Sequence, residues 1–196
     1  MQNASLGLLP SAFEMSSVLR EMIERWHQIN PPLAWETAQL SFPEDLSTLK
    51  GEIQQLGLIN CFQWHLEDEC RAHYSWPAVL ANLKRDIDLS NQRRVCMIDV
   101  IDEEILRVLC MQEREADNAC VALTTPGNLM DRLSILELKR YHAQGMDSSK
   151  LALTKVKLDL LEEQITDLCT GTDNLIRDLL EGRQRLKVYR TIKLYG

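Results

Sequence analysis

Apolar residues recur along this chain at spacings of three and four, and breaks in that rhythm divide it into helices. Ser11 is placed to cap a first helix running to about Gln28, which Asn30-Pro31-Pro32 ends because proline supplies no amide and disfavours helix before it. A loop is expected to Phe42. Pro43-Glu44-Asp45 then reads as the first turn of a second helix reaching Tyr74, with carboxylates at the positive end of its dipole. Ser75 caps a third, long helix from Trp76 to about Asp117. Asn118 to Gly127 reads as a loop closed by Thr125-Pro126-Gly127, and a fourth helix covers about Asn128 to Gln144 before Gly145 stops it. Ser148 or Ser149 caps the last apolar seam, which continues past a weak point at Thr170-Gly171-Thr172. The pattern predicts an all-α, single-domain bundle of five or six helices. Residues 1–42 supply the N-terminal helix and Pro-rich loop, 43–182 the bundle core and 183–196 a basic C-terminal end.

Polar residues interrupt these stripes. With Leu46 of the second helix at 0°, Leu49, Ile53 and Leu56 fall between about −80° and 0°. On the same winding Asn60, Trp64, Glu67, Asp68 and Arg71 all lie within about 60° of that origin, and His65 stands beside them at about 100°. In the third helix Asn91 and Arg94 lie within about 40° of Ile87, among Leu83, Ile98, Ile101 and Ile105. In the fourth, Arg132 and Lys139 sit between a Leu129/Leu133/Leu136 strip and an Ile135/Leu138 strip, with Asp131 and His142 on the flank. Burying one such group without a partner costs roughly 1–3 kcal/mol, and more for a charge. A common explanation is needed. One reading brings the polar levels of the three helices together as a pocket, as bundles do for ligand sites. The other makes the set a structural network, with Glu67 and Arg71 paired one turn apart and Asn91 and Arg94 fixing register.

As a pocket, the cations Arg71, Arg94, Arg132 and Lys139 outnumber the carboxylates Glu67 and Asp68, which suits an anion such as phosphate. The free amides at the start of the Thr125-Pro126-Gly127 helix would add to it. Asn60, Asn91 and Trp64 would orient the ligand, and Glu67 or Asp68, with His65 nearby, are the acid/base candidates. His65 and Asp68, with Glu67, Asp131 or His142, also have ligand chemistry, but di-metal bundles repeat E-x-x-H on two helices and no second copy occurs. No metal is assigned, the cofactor is left open, and His27 and His73 read as surface residues near helix ends. P-loop, G-x-G-x-x-G, G-x-S-x-G and H-E-x-x-H motifs are all missing from the sequence.

Composition changes this picture in two places. The 196 residues carry a formal charge of −7, which excludes general nucleic-acid binding because that relies on Lys and Arg displacing phosphate counterions. The charge is uneven, since Arg183, Arg185, Lys187, Arg190 and Lys193 follow the last acidic residue, Glu181. The six cysteines show no C-x-x-C pair, and no apolar run is long enough for a secretory signal or a membrane span, so reduced thiols and a cytoplasmic location are expected.

Four strings carry a resemblance: NCFQWHLEDECR (Asn60 to Arg71), KRDIDLSNQRR (Lys84 to Arg94), TPGNLMDRLSILELKRYH (Thr125 to His142) and LKVYRTIKLY (Leu186 to Tyr195). With them the chain resembles an uncharacterised bacterial family of helical proteins, a domain of unknown function. Members tend to occur near genes for lipopolysaccharide and other surface-glycan synthesis. The resemblance implies, by that association, a role around activated sugars, and it carries no reaction or catalytic residue. The function expected is binding, with or without transformation, of a phosphorylated sugar or similar anionic metabolite. The alternative is a non-catalytic interaction protein, a homo-oligomer or adaptor to a glycan-synthesis enzyme, whose charged seam is structural.

Overall fold

The structure is a computed structural model, described here for residues 9–110, 119–145 and 151–189. Those residues form six helices: α1 (Ala12–His27), α2 (Trp35–Ser41), α3 (Leu49–Ala72), α4 (Pro77–Cys110), α5 (Pro126–Gln144) and α6 (Leu151–Leu180). Two parallel two-residue strands, β1 (Cys120–Val121) and β2 (Gln184–Arg185), pair at one end. The all-α reading holds. The expected end of the third helix near Asp117, the cap at Ser148 or Ser149 and the charges at Arg190 and Lys193 lie outside the described residues. No described helix is long and apolar enough to cross a membrane.

Local chemistry sets most boundaries. Ser11 and Glu14 form a reciprocal capping box at the start of α1, and Ala12 N–H donates to Asp173 of α6 (2.7 Å), tying that end to the bundle. The start of α3 differs from expectation. Residues 43–48 make a turn in which the Asp45 carboxylate accepts from Ser47 N (3.0 Å), and Thr48, whose Oγ1 accepts from Gly51 N (3.1 Å), becomes the cap. Gly51 passes under that turn so closely that a Cβ there would lie 2.0 Å from the Asp45 carbonyl oxygen. The loop expected between Pro32 and Phe42 contains α2, held by Trp35, which packs edge-on to Phe62 (5.4 Å) and under the Arg93 guanidinium (4.9 Å).

Thr170-Gly171-Thr172 is no break in α6. Thr172 is buried with Oγ1 donating to the Leu168 carbonyl (2.7 Å), so its polar group is satisfied inside the helix. The helix ends at Gly182 (φ 70°), where Arg183 N–H reaches Asp178 O (2.8 Å) and Gly182 N–H reaches Leu179 O (3.2 Å), a Schellman turn. Arg183 folds back onto Asp178 and Glu181, so the first cation of the basic end is paired.

α3 is the central helix, and every residue from Gly51 to Phe62 is buried. One apolar cluster joins Met15 and Leu19 of α1, Ile53 and Leu56 of α3, Ile101 and Ile105 of α4, Leu133 of α5 and Ile165 of α6. A second gathers Trp26, Trp35, Phe42, Phe62 and Leu66 at the other end. Each large side chain so buried contributes about 1.5–3 kcal/mol.

Full burial of the α3 start traps Glu52. Its carboxyl is pushed up to about 7, first by burial and then by the Glu104 carboxylate of α4, with Arg107 partly offsetting both. Between the ordinary glutamate value and about 7 the folded state therefore holds a proton that the unfolded state has released. Stability falls as pH rises through that window and stays lowered above it. Glu52→Gln removes the liability. We expect urea melts to show near parity with wild type at about pH 5 and a gain of about 2 kcal/mol at about pH 8. A difference that does not change with pH would refute this account.

Candidate functional site

The end of α1, the middle of α3 and the last turns of α5 meet at one level of the bundle, and each brings a histidine. His27 closes α1, held there because Trp26 beside it is fully buried and its own Nδ1–H donates to the Ile23 carbonyl (2.7 Å). A carbonyl can only accept, so the neutral ring keeps its lone pair on Nε2. That atom lies 3.3 Å from Nε2 of His65 on α3. His142 of α5 completes the group. One ring nitrogen from each of the three lies within 4.8 Å of those from the other two. Aromatic neighbours cover the ring faces: Tyr141 stacks on His27 (4.1 Å) and Trp64 on His142 (4.9 Å, 7° between planes). The Nε2 of His142 is buried without a hydrogen-bond partner.

Electrostatics keep the rings neutral near pH 7. All three imidazoles are half-buried, and desolvation lowers their pKa values, most for His65, which falls to about 4 through its burial first and then through repulsion of its charged form by His27 and His142. The Asp68 carboxylate acts in the opposite sense on His65 and His142 without reversing it. Neutral imidazole is the form that accepts a proton or binds a metal.

Trp64 joins this level to two concavities. One is an open groove of about 610 Å³ between α3, α5 and α6, lined by Trp64, Asp68, Lys139, His142, Lys157 and Leu160 among others. The other is a smaller cleft of about 140 Å³ that Asn60, Gln63, Trp64, Glu67 and Arg94 help to line. There Asn60 Nδ2 donates to Asp131 (3.0 Å) and Ser134 (3.1 Å), Arg94 lies 4.0 Å from Asp131, and Gln63 donates to Asn91 (3.1 Å).

Convergence of the polar stripes is therefore real for part of the expected set. Asn60, Trp64, Glu67 and Arg94 share the cleft, with Asn91 joined through Gln63, while Trp64, Asp68 and Lys139 share the groove. Two expected members do not arrive. Arg71 is exposed and pairs with Asp68 on its own helix, and Arg132 is exposed on α5 and lines neither space. The expected cationic excess is also corrected for the cleft, where Arg94 faces Asp131 and Glu67. The α5 N-terminus is likewise no free anion site, because the buried Asp102 carboxylate already accepts from Gly127 N–H (2.6 Å). His27 is corrected from a surface residue to a member of the histidine group. His73 is as expected, near a helix end with its ring against the Glu69 carbonyl (3.1 Å).

Sequence reasoning also passed over a buried ion network. Glu137 of α5 is fully buried, accepts from Ser16 of α1 and pairs with Arg140 (2.7 Å), which reaches Glu162 of α6 (3.0 Å). Both lie on the Leu133 stripe, at about 40° and −20° from it, and that coincidence was the available signal.

No curated protein and no solved structure matches the chain. A family model described as "Protein of unknown function (DUF4254)" matches residues 51–188, from the first turn of α3 to beyond α6, and the chain belongs to that family.

Proposed function

We propose that the protein binds a small phosphorylated metabolite, of the sugar-phosphate or nucleotide-sugar class, in the groove between α3, α5 and α6. The observation that carries this reading is the groove's lining: Lys139 of α5 and Lys157 of α6 stand on it together with the Trp64 indole and the Asp68 carboxylate. Two ammonium groups suit a phosphate, an aromatic wall suits the apolar face of a sugar or base, and a carboxylate accepts from hydroxyls. Of the cations expected to hold the anion, Lys139 is kept and Lys157 takes the place of the arginines. Of the expected acid/base candidates, Asp68 lines the groove and gains His142 as a neighbour, whereas Glu67 lines the cleft and His65 belongs to the histidine group. The association of the resembled family with surface-glycan genes selects sugar phosphates and nucleotide sugars as the first ligands to try. Free cysteines at 61, 70, 96, 120 and 169 accord with a reducing, cytoplasmic setting.

Thermal unfolding with a hexose 1-phosphate, a nucleoside diphosphate hexose or inorganic phosphate tests the reading. A ligand at 100 times its Kd stabilises by about 2.7 kcal/mol, roughly 5–10 °C for a chain of this size. We expect such a rise, and its loss in the double substitution Lys139→Ala/Lys157→Ala, whose ligand-free Tm stays near wild type because both lysines are exposed. The proposal fails if no probe shifts the melt, or if the double variant responds as wild type does.

A further inference from the structure

We propose that His27, His65 and His142 form a binding site for one divalent transition-metal cation of the zinc type. Three features of the group converge on that assignment. The ligands come from three different helices, so the site is built by tertiary packing rather than by a local turn. The His27 and His65 Nε2 atoms are 3.3 Å apart, which is the separation that two metal–nitrogen bonds of about 2.0–2.1 Å make at a tetrahedral angle. His142 completes the set, because one of its ring nitrogens lies within 4.8 Å of a ring nitrogen of each of the other two. Finally, His27 gives its other ring nitrogen to the Ile23 carbonyl, the outer-sphere hydrogen bond that fixes the tautomer and orientation of a metal-bound imidazole.

Aromatic packing alone leaves this arrangement unexplained. Trp64 and Tyr141 interact with the faces of His142 and His27, and His65 Nε2–H can donate across the 3.3 Å to the His27 Nε2 lone pair, but neither kind of contact serves the in-plane Nε2 of His142. The buried Nε2 of His142 has no hydrogen-bond partner, and a metal bond would satisfy it. The all-nitrogen donor set selects zinc, cobalt, nickel or copper and disfavours magnesium and calcium, which take oxygen ligands. Three protein ligands leave a fourth position for water or a substrate atom. His142 also lines the groove, so the cation would stand next to that space. The metal site does not depend on the groove's anion, and it is tested without one.

The test is titration of the chelator-treated full-length chain with cobalt(II) and with zinc(II), followed by visible absorption and calorimetry. We expect one equivalent bound, a cobalt spectrum of tetrahedral or five-coordinate type without the near-ultraviolet thiolate charge-transfer band, and no heat with magnesium. His65→Ala and His142→Ala should each weaken binding at least 100-fold, whereas His73→Ala should leave it unchanged. Circular dichroism checks each fold, and should His65→Ala not fold, the half-buried His142 near the end of α5 decides the matter alone. Absence of binding by wild type at millimolar metal, a thiolate band, or equal affinity in wild type and His142→Ala would overturn the site. None of these readouts involves a sugar phosphate, so failure here and failure of the groove reading are separately visible.

Discussion

Replacing Arg140 by methionine is expected to destabilise the protein by about 3–5 kcal/mol, the usual cost of breaking a buried ion pair by removing one partner. Glu137 is fully buried, and Arg140 is the cation nearest to it, at 2.7 Å, with only about a tenth of its own side chain exposed. Without that guanidinium, Glu137 keeps the Ser16 hydroxyl and a longer contact with Arg20 (3.5 Å), whose side chain is 44% exposed and screened by water. The half-exposed Glu162 loses a partner too, but solvent compensates it. For a chain of this length the loss should lower Tm by roughly 6–20 °C. The diagnostic comparison is the double substitution Glu137→Gln/Arg140→Met. If the damage comes from a stranded charge, removing that charge should recover part of the loss, so that the double variant is more stable than Arg140→Met alone. Equal or worse stability in the double variant would show that packing of the arginine stem, rather than the carboxylate, dominates.

That network also marks where sequence reasoning reaches its end. The caps and stops of α1 and α5 are local events. Ser11 with Glu14, Thr125 before Pro126 and the prolines at 31 and 32 announce them without knowledge of any partner. α2 gives no such notice, because seven residues make two turns and their helicity rests on Trp35 finding Phe62 and Arg93. Winding the helices located the polar level on α3 and α4 correctly, since the stripe carrying Asn60, Trp64, Glu67, Asn91 and Arg94 continues one that is plainly apolar. It failed on α5. That helix has apolar residues on several arcs, so periodicity alone does not say which charged pair points inward; packing against α1 and α6 selects Glu137 and Arg140, leaving Arg132 and Lys139 exposed. His65 and His142 already stood among the residues with ligand chemistry, and only the membership of His27 was beyond reach, for a similar reason. His27 and His65 are 38 residues apart, and what joins them to His142 is the docking of α1 onto α3 and α5.

Gly127→Ala and Gly171→Ala, the same chemical change in two helices, are expected to act in opposite directions. At Gly127 an added Cβ would lie 2.6 Å from the Ile98 carbonyl oxygen and 2.9 Å from the Asp102 carboxylate, both on α4. The first of these is backbone, so α4 and α5 must separate. Separation breaks the 2.6 Å hydrogen bond from Gly127 N–H to Asp102, whose carboxyl is buried and already held above the ordinary aspartate range by desolvation. Overpacking of a close contact costs about 1–3 kcal/mol, and a weakened buried acceptor adds to it. Alanine's better helix propensity returns less than about 1 kcal/mol, so a net loss of about 2–3 kcal/mol is expected. Gly171 stands in the middle of α6 with nothing within 4 Å of where its Cβ would be. There the propensity term acts alone and should stabilise by about 0.8–1 kcal/mol. Denaturant melts of the two variants measure both signs in one experiment. A destabilised Gly171→Ala would mean that α6 does bend at its glycine, and a neutral Gly127→Ala would mean that the α4–α5 crossing is looser than the Asp102 hydrogen bond requires.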